Sequence, residues 1–299
     1  MPEILPYTDE YRNGVLSVLK RNFPFPPNKS SEWLYNWLEP LFTYNWIAEN
    51  VNVSDVPFKY GAVLAKGKDV VGFFGTMYSY RHIEGRKLLW LVPALWCIDP
   101  EYRAHIFKVT SELYKTADIV LDLTPIETYQ EIDTKLFGFH YFNDKVFVFK
   151  PVPILKRHKV NIKFFHEASE ISDTEDQIIF RDHERYNCDI RYVSFECNGE
   201  TGSAFYVRRY FRRFKLIWKK LRIVSVSNRK LFTSHIHEIL WKIQKHEKFL
   251  ALVEVDAHFT EGNFHHPLFT TKHVDRLMFS KEKLNIKPDF LYSELSMFN

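Results

Sequence analysis

Hydrophobic positions recur every three or four residues from 8 to 22, where TDEYRNGVLSVLKRN sets Tyr11, Val15, Val18 and Leu19 on one side of a helix with Thr8 as its N-cap. FPFPPNKSS then interrupts the chain with three prolines, and Ser31 caps a second helix, SEWLYNWLEPLF. From residue 61 the pattern is that of strands. GAVLA and VVGFFGTMYSY flank the turn KGKD, and HIEGRK makes a second turn. LLWLVPALWCID is a third strand, in which Pro93 predicts a bulge or a splayed edge. A corner and a helix follow in CIDPEYRAHIFKVTSEL. After them come a short buried strand, DIVLDL (118–123), a helix closing on Gly138, IETYQEIDTKLFGF, and a last strand, HYFNDKVFVFKPV.

PVPILKRHKV (151–160), with two prolines and four basic residues, reads as a linker. The plan then repeats. SDTEDQIIFRDHERY is a helix, YVSFECNGETGSAFYVRRY is two strands about the turn NGETG, and KKLRIVSVSN is a third strand. RKLFTSHIHEILWKIQKHEK is one amphipathic helix, FLALVEVDA a buried strand and VDRLMFSKEK a final one. Only the order of elements repeats, not the residues. The prediction is an α/β (α+β) chain of two tandem domains, each a mixed, mostly antiparallel sheet flanked by helices. The expected boundaries are 1–150, a linker over 151–160, and 161–299, which suits a length of 299 residues.

A net charge of +4 is mild; it argues against a dedicated nucleic-acid binder and suits an anionic small ligand. Cys97, Cys188 and Cys197 form no CxxC pair and read as reduced thiols of a cytoplasmic protein. MPEILPYTDEYR lacks the pattern of a signal peptide, and the apolar run 88–98 is too short to span a bilayer, so no membrane partner is expected. No Walker loop, GxGxxG, GxSxG or HExxH occurs in the sequence.

Ile98-Asp99-Pro100-Glu101-Tyr102-Arg103 is similar to the V-x-P-x-Y-R that ends the fourth strand of GNAT-superfamily N-acyltransferases, and Lys135-Leu136-Phe137-Gly138-Phe139 resembles the K-x-G-F before their last strand. The order of elements around both motifs agrees. The resemblance covers residues 1–150, and the second half looks like a degenerate GNAT repeat. It implies acyl-coenzyme A as co-substrate, without a metal. From two-domain proteins of this kind it also implies an acceptor, the amine of a nucleotide-linked (dTDP or UDP) amino sugar for surface polysaccharides. A non-catalytic GNAT-like scaffold and a FemAB-type aminoacyl-tRNA-dependent transferase are the alternatives.

By that resemblance, the R-x-x-G-x-G/A turn whose N–H groups and helix dipole hold the coenzyme pyrophosphate falls on Arg103, Ala104, His105, Ile106, Phe107 and Lys108, next to Ile98. Ile106 and Lys108 stand where the family has small residues, while His105 and Lys108 offer charge instead. The second half has its own corner, Val226-Ser227-Asn228-Arg229-Lys230, with a basic pair at a helix start, and the coenzyme could use that side. The family's oxyanion donor, a backbone N–H, falls within 94–98. Its strand-borne Glu has no counterpart among Pro93, Ala94, Leu95 and Trp96, and its thiolate-protonating Tyr falls on Thr134. Asp122, His82 and His105 are the candidate catalytic replacements, with Tyr129 a further one. A carboxylate in a buried strand needs a reason; for Asp122, capping the turn TPIE is as good a reason as catalysis.

VRRYFRRFKLIWKKLR (207–222) interleaves eight basic residues with aromatics. A phosphate-binding surface, RNA, a membrane surface and a solvated basic edge all fit it; the mild charge weighs against RNA and membrane. Arg208, Arg209, Arg229 and Lys230 are the expected acceptor-binding residues. Asp256, His258, His265, His266 and His273 lack zinc spacing, and their segment reads as a polar loop near the acceptor rather than a metal site.

Overall fold

The computed structural model of the chain describes residues 1–22, 51, 56–83, 85–125, 127–150, 159–185, 188–213, 216–248, 251–261, 269–282, 286, 288–293 and 295. The expected helix over 31–42, most of the expected linker, and His265 and His266 lie outside the described residues. The chain divides into two compact units. Unit 1 is Met1–His140 with Met278–Ile286 and Tyr292–Glu294. Unit 2 is Tyr141–Leu277 with Lys287–Leu291 and Leu295–Asn299.

Unit 1 opens with β1 (Glu3–Pro6) and α1 (Arg12–Asn22). A 3-10 turn at Asp9–Tyr11 precedes α1, and Thr8 makes no side-chain cap, so the regular helix starts three residues later than an N-cap at Thr8 predicts. β2 (Ala62–Lys66), β3 (Asp69–Ile83) and β4 (Arg86–Ile98) form an antiparallel meander, with β1 on its outer edge against β2. A 3-10 segment, Pro100–His105, leads into α2 (Ile106–Tyr114), which crosses over so that β5 (Ile119–Asp122) pairs parallel to β4. α3 (Glu127–Leu136) follows and ends at Gly138, whose φ of +73° suits glycine.

β3 is long and buried along most of both faces, which is why it reads as a near-continuous apolar run and not a strict alternation. α1 approaches it closely through Gly14. A Cβ built there would stand 2.4 Å from Val70 Cγ2, so only glycine lets the helix sit this near the strand. The other end of α1 is tied by charge. Arg21 donates from Nε (2.8 Å) and Nη2 (2.6 Å) to the Asp99 carboxylate, which caps the end of β4, and Asn22 Nδ2 donates to the same group. The hydrogen bonds from Arg21 hold the Asp99 carboxyl below its ordinary range.

The strand β6 (His140–Phe149), expected as the last strand of the first half, belongs with unit 2 from Tyr141 onward. It pairs antiparallel with β11 (Ala251–Asp256), and its run Val146–Phe149 is buried on both faces, as an interior strand requires. Unit 2 continues with β7 (Asn161–Phe165), α4 (Thr174–Arg185), β8 (Ile190–Cys197), β9 (Glu200–Arg213) and β10 (Leu216–Val226). Asn198 and Gly199 form the β8–β9 turn with φ of 52° and 82°, the left-handed pair that matches hairpin twist. The expected single amphipathic helix is two, α5 (Arg229–Ser234) and α6 (Ile236–His246), broken at His235. β11 then pairs parallel to β10, and β12 is Phe269–Ser280. The strands within each unit pair mostly antiparallel, with a parallel pair in each, and helices flank them. Among the described residues no helix is long and apolar enough to cross a membrane.

Unit 2 buries charge as pairs. Glu254 on β11 is 2% exposed and receives Arg222 (2.6 Å), Lys220 (2.6 Å) and Lys272 (3.1 Å). Burial pushes its carboxyl up, but Arg222 and Lys220 overcome this and hold it at about 2. A depressed carboxyl adds stability above its unfolded pKa and loses it as pH falls to the folded value. Glu254→Gln leaves three cations around a neutral amide. It is expected to cost roughly 3 kcal/mol at pH 7 and to flatten the loss of stability between pH 4.5 and about 2, read by thermal melts across that range.

Candidate active site

β4 and β5 are latched at one end and parted at the other. The latch is Asp118: its N–H donates to the Leu89 carbonyl (2.8 Å), and its carboxylate accepts the Leu89 N–H (2.9 Å). Parallel pairing then covers only Trp90↔Ile119 and Leu91↔Val120. Beyond it β4 bulges. Phe73 and Gly75 of β3 face Cys97 and Ala94, so β4 carries one residue more than its partner, and Leu95 takes a left-handed φ of 55°. Pro93 was the expected cause of irregularity, yet it stays in register with Thr76 and the bulge falls two residues on. A non-glycine residue with positive φ costs of order 1–3 kcal/mol and persists where the surroundings impose it. Here the imposing contacts are visible: Trp96 Nε1 donates to the Gly75 carbonyl (2.9 Å), and its ring meets Phe74 edge-on and stacks on Tyr114.

The parting opens a cleft lined by Pro93, Ala94, Leu95 and Trp96 of β4, Asp122, Thr124 and Pro125 after β5, and Tyr129 and Asp133 of α3. Asp133 is 2% exposed and accepts the Tyr114 hydroxyl (3.1 Å). The Asp122 side chain stands beside it, and its hydrogen bond, like that of Tyr114, lowers the Asp133 carboxyl. Burial is the main cause that lifts Asp133, to about 6. Asp122 accepts the Thr124 N–H as well (3.3 Å); it caps the turn and lines the cleft together. Burial raises the Tyr129 phenol above its ordinary value, against a lowering by the nearby Arg103. Tyr129 therefore stays protonated at neutral pH. Cys97 is no nucleophile: burial pushes its thiol up to about 12.

The structure separates the other expected residues. His82 lies on β3 opposite Lys87, exposed and away from the cleft lining. Ile98 and Ile106 are buried beneath the corner, while Arg103, Ala104, Phe107 and Lys108 are exposed and His105 is half-buried. The corner is a 3-10 turn and not an open loop. The Ile106 N–H, one of the expected pyrophosphate donors, is spent on the Arg103 carbonyl, and the Tyr102 N–H on Asp99. Thr134, at the family's tyrosine position, donates its hydroxyl to the Gln130 carbonyl (2.6 Å).

In unit 2, Arg208 grips both Asp189 oxygens (2.7 and 2.6 Å) and reaches Glu247 (3.4 Å), which also receives Lys219 and Tyr206. Arg209 donates to the Leu295 carbonyl, and Arg229 to those of His258 and Pro288. Lys230 alone of the four expected acceptor residues is exposed, at the corner after β10 beside Glu261. Sequence reasoning missed Asp133. Its signal was there: it follows Tyr129 by one helical turn on the inward side of α3, and it is the most buried described residue of that helix although it is charged.

No family model and no curated protein matches this sequence. Solved structures do. A GCN5-related N-acetyltransferase from Anabaena variabilis aligns with TM-score 0.57 and 11% identity, over 93% of this chain and 72% of that one. One from Kribbella flavida gives 0.56 and 12%, over 93% and 70%. A probable N-acyltransferase from Enterococcus faecalis gives 0.55 and 11%, over 94% and 72%. The fold is that of the GCN5-related N-acetyltransferases. At these identities the likeness to GNAT structures is one of fold.

A carboxyl whose folded pKa is raised contributes stability while protonated, and that contribution falls as pH rises from the unfolded to the folded value. Replacing Asp133 by Asn keeps a partner for Asp122 and removes the titration. The wild type is expected to lose stability relative to Asp133→Asn between pH 3.8 and about 6 and to run parallel to it above. Melts at matched pH values give the difference; a constant gap across that interval would show that Asp133 is ionised throughout.

Proposed function

We propose that the cleft of unit 1 is the site of an acyl-coenzyme A-dependent N-acyltransferase. The observation that carries this is the bulged, parted edge of β4 facing the carboxyls of Asp122 and Asp133. A pantetheine arm has two amides and is extended; a strand edge without a partner offers it N–H and C=O groups in the matching order. The exposed Arg103 and Lys108 at the corner supply charge for the coenzyme phosphates, in place of the amide spent by Ile106.

In this reading the acceptor amine attacks the thioester carbonyl carbon directly. A C–N bond forms, and the carbonyl electrons move to oxygen, where a β4 backbone N–H between Ala94 and Trp96 stabilises them; Pro93 has none to give. The Asp122–Asp133 pair takes the proton of the amine. The C–S bond then breaks, and Tyr129 donates its phenolic proton to the leaving thiolate. A nucleotide-linked amino sugar is the first acceptor to test, on the strength of the sequence resemblance alone.

Thermal unfolding with coenzyme A, acetyl-coenzyme A and a panel of dTDP- and UDP-amino sugars tests binding. A ligand at about 100-fold its Kd adds roughly 2.7 kcal/mol, a shift of several degrees. Arg103→Ala is expected to reduce the coenzyme A shift without lowering the ligand-free midpoint. Free-thiol release then tests chemistry. The expected kcat/KM rises with pH through about 6, and Asp122→Asn and Tyr129→Phe each lower kcat by roughly 10²-fold. Absence of any shift with every coenzyme A species would overturn the reading in favour of a non-catalytic scaffold.

A further inference from the structure

Unit 2 repeats the construction of the cleft. β10 lies parallel to β11 from Lys219↔Ala251 to Arg222↔Glu254, and there the pairing stops although β10 runs on to Val226. Just past that point β10 bulges against β9: Ile223 faces Tyr206, Ser225 faces Phe205, and Val224 is the extra residue. β4 does the same at Leu95–Trp96. In both units the strand then ends in a corner and a helix. In unit 2, however, the parted edge is occupied. The Phe290 N–H donates to the Val224 carbonyl at 2.7 Å. The Pro288 carbonyl accepts from Arg229 Nη2 (3.0 Å) and from His258 Nε2 (3.1 Å). A carbonyl can only accept, so Nε2 carries the hydrogen; burial and Arg229 keep this histidine neutral.

Phe290 is fully buried, with its ring 5.2 Å from that of Phe259 and 4.9 Å from that of His258, and with the Arg276 guanidinium 5.6 Å from its centre. The cation that would greet a coenzyme here is already committed. Arg229, at the corner, is turned inward over Phe259 and spent on two carbonyls. Asp256, which ends β11 as Asp122 ends β5, takes Arg276 (3.1 Å) and Asn143 (2.9 Å) on Oδ1.

We propose that Pro288-Asp289-Phe290 is an internal ligand that fills the second cleft, adding its backbone to the bulged edge of β10, so that the chain holds one acyl-coenzyme A and holds it in unit 1. The segment is a built-in occupant and not a lid: its carbonyl, its amide and its ring each have a dedicated partner. The stoichiometry rests on the reading proposed for unit 1; the occupation of the second cleft does not.

Hydrogen–deuterium exchange on the full chain, with and without coenzyme A, separates the two. Protection of the peptide containing residues 288–291 in the free protein, unchanged by coenzyme A, is the expected result, together with new protection over residues 94–98. Exchange of 288–291 at the rate of an unstructured peptide would overturn the proposal, and so would loss of its protection on adding coenzyme A. No change anywhere with coenzyme A would sink the unit 1 reading and leave the internal ligand standing. Titration calorimetry is expected to count one coenzyme A per chain; two would overturn the proposal. Phe290→Ala is expected to lower the melting midpoint by roughly 6 °C or more, with Phe290→Leu as the milder variant where Ala fails to fold. An unchanged midpoint in both would show that Phe290 fills nothing.

Discussion

Everything at the candidate site depends on β4 and β5 ceasing to pair after two residues. A parallel pair that continued would bury the edge of β4 and leave no cleft. Past the last pair, the bulge at Leu95 turns the backbone of β4 further out of step with the ladder. The strain at Leu95 is held by the indole of Trp96, clamped by a hydrogen bond to β3 and a stack on Tyr114. Tyr114 in turn donates to Asp133. One chain of contacts therefore sets the shape of the cleft and the proton affinity of its carboxyl pair, and a change in Trp96 or Tyr114 would alter both together.

The carboxyl pair also replaces what the usual catalytic pattern would have put on the strand. β4 supplies Pro93, Ala94, Leu95 and Trp96, none of them acidic, so a proton acceptor has to come from across the cleft. Asp122 comes from the end of β5 and Asp133 from the next helix. Neither is a strong base when ionised alone in water. Burial of Asp133 disfavours the charged form and outweighs the hydrogen bonds of Tyr114 and Asp122, which favour it. The proton affinity arises from the packing of α3 against the parted strands and from no single residue.

Much of the architecture was legible because it rests on local rules. The β2–β3 turn, the Asn198-Gly199 hairpin and the helix end at Gly138 each need a residue that tolerates positive φ, and the sequence has it there. What was not legible depends on contacts distant in sequence. β6 reads as the last strand of the first half because it follows α3, but its antiparallel partner β11 is about a hundred residues away. The basic stretch of β9 and β10 reads as a ligand surface because its counter-charges, Asp189, Glu247 and Glu254, lie elsewhere in the chain. Asp122 was found as a buried-strand carboxylate; its partner Asp133 was not, because on a helix surface one aspartate looks like another until the fold buries it.

The two units show how little separates a binding cleft from a packed core. Each has a bulged strand, a parallel neighbour that leaves it, and a helix after the corner. An open strand edge is a liability, since its N–H and C=O groups bind whatever extended chain can reach them. In unit 2 the chain itself reaches the edge, with an amide for Val224, a carbonyl for Arg229 and a ring for the space behind them. Once the cleft is filled, its polar groups are free to become structural, as the pairing of Asp256 with Arg276 illustrates. In unit 1 the equivalent edge has no such occupant among the described residues, and Asp122 stands beside the Asp133 carboxyl. Burial raises the Asp256 carboxyl although Arg276 opposes it, and burial raises Asp133 although its hydrogen bonds to Tyr114 and Asp122 oppose it. The two strand-end aspartates thus differ in what stands across from them: Arg276 and Asn143 beside Asp256, the carboxyl of Asp133 beside Asp122.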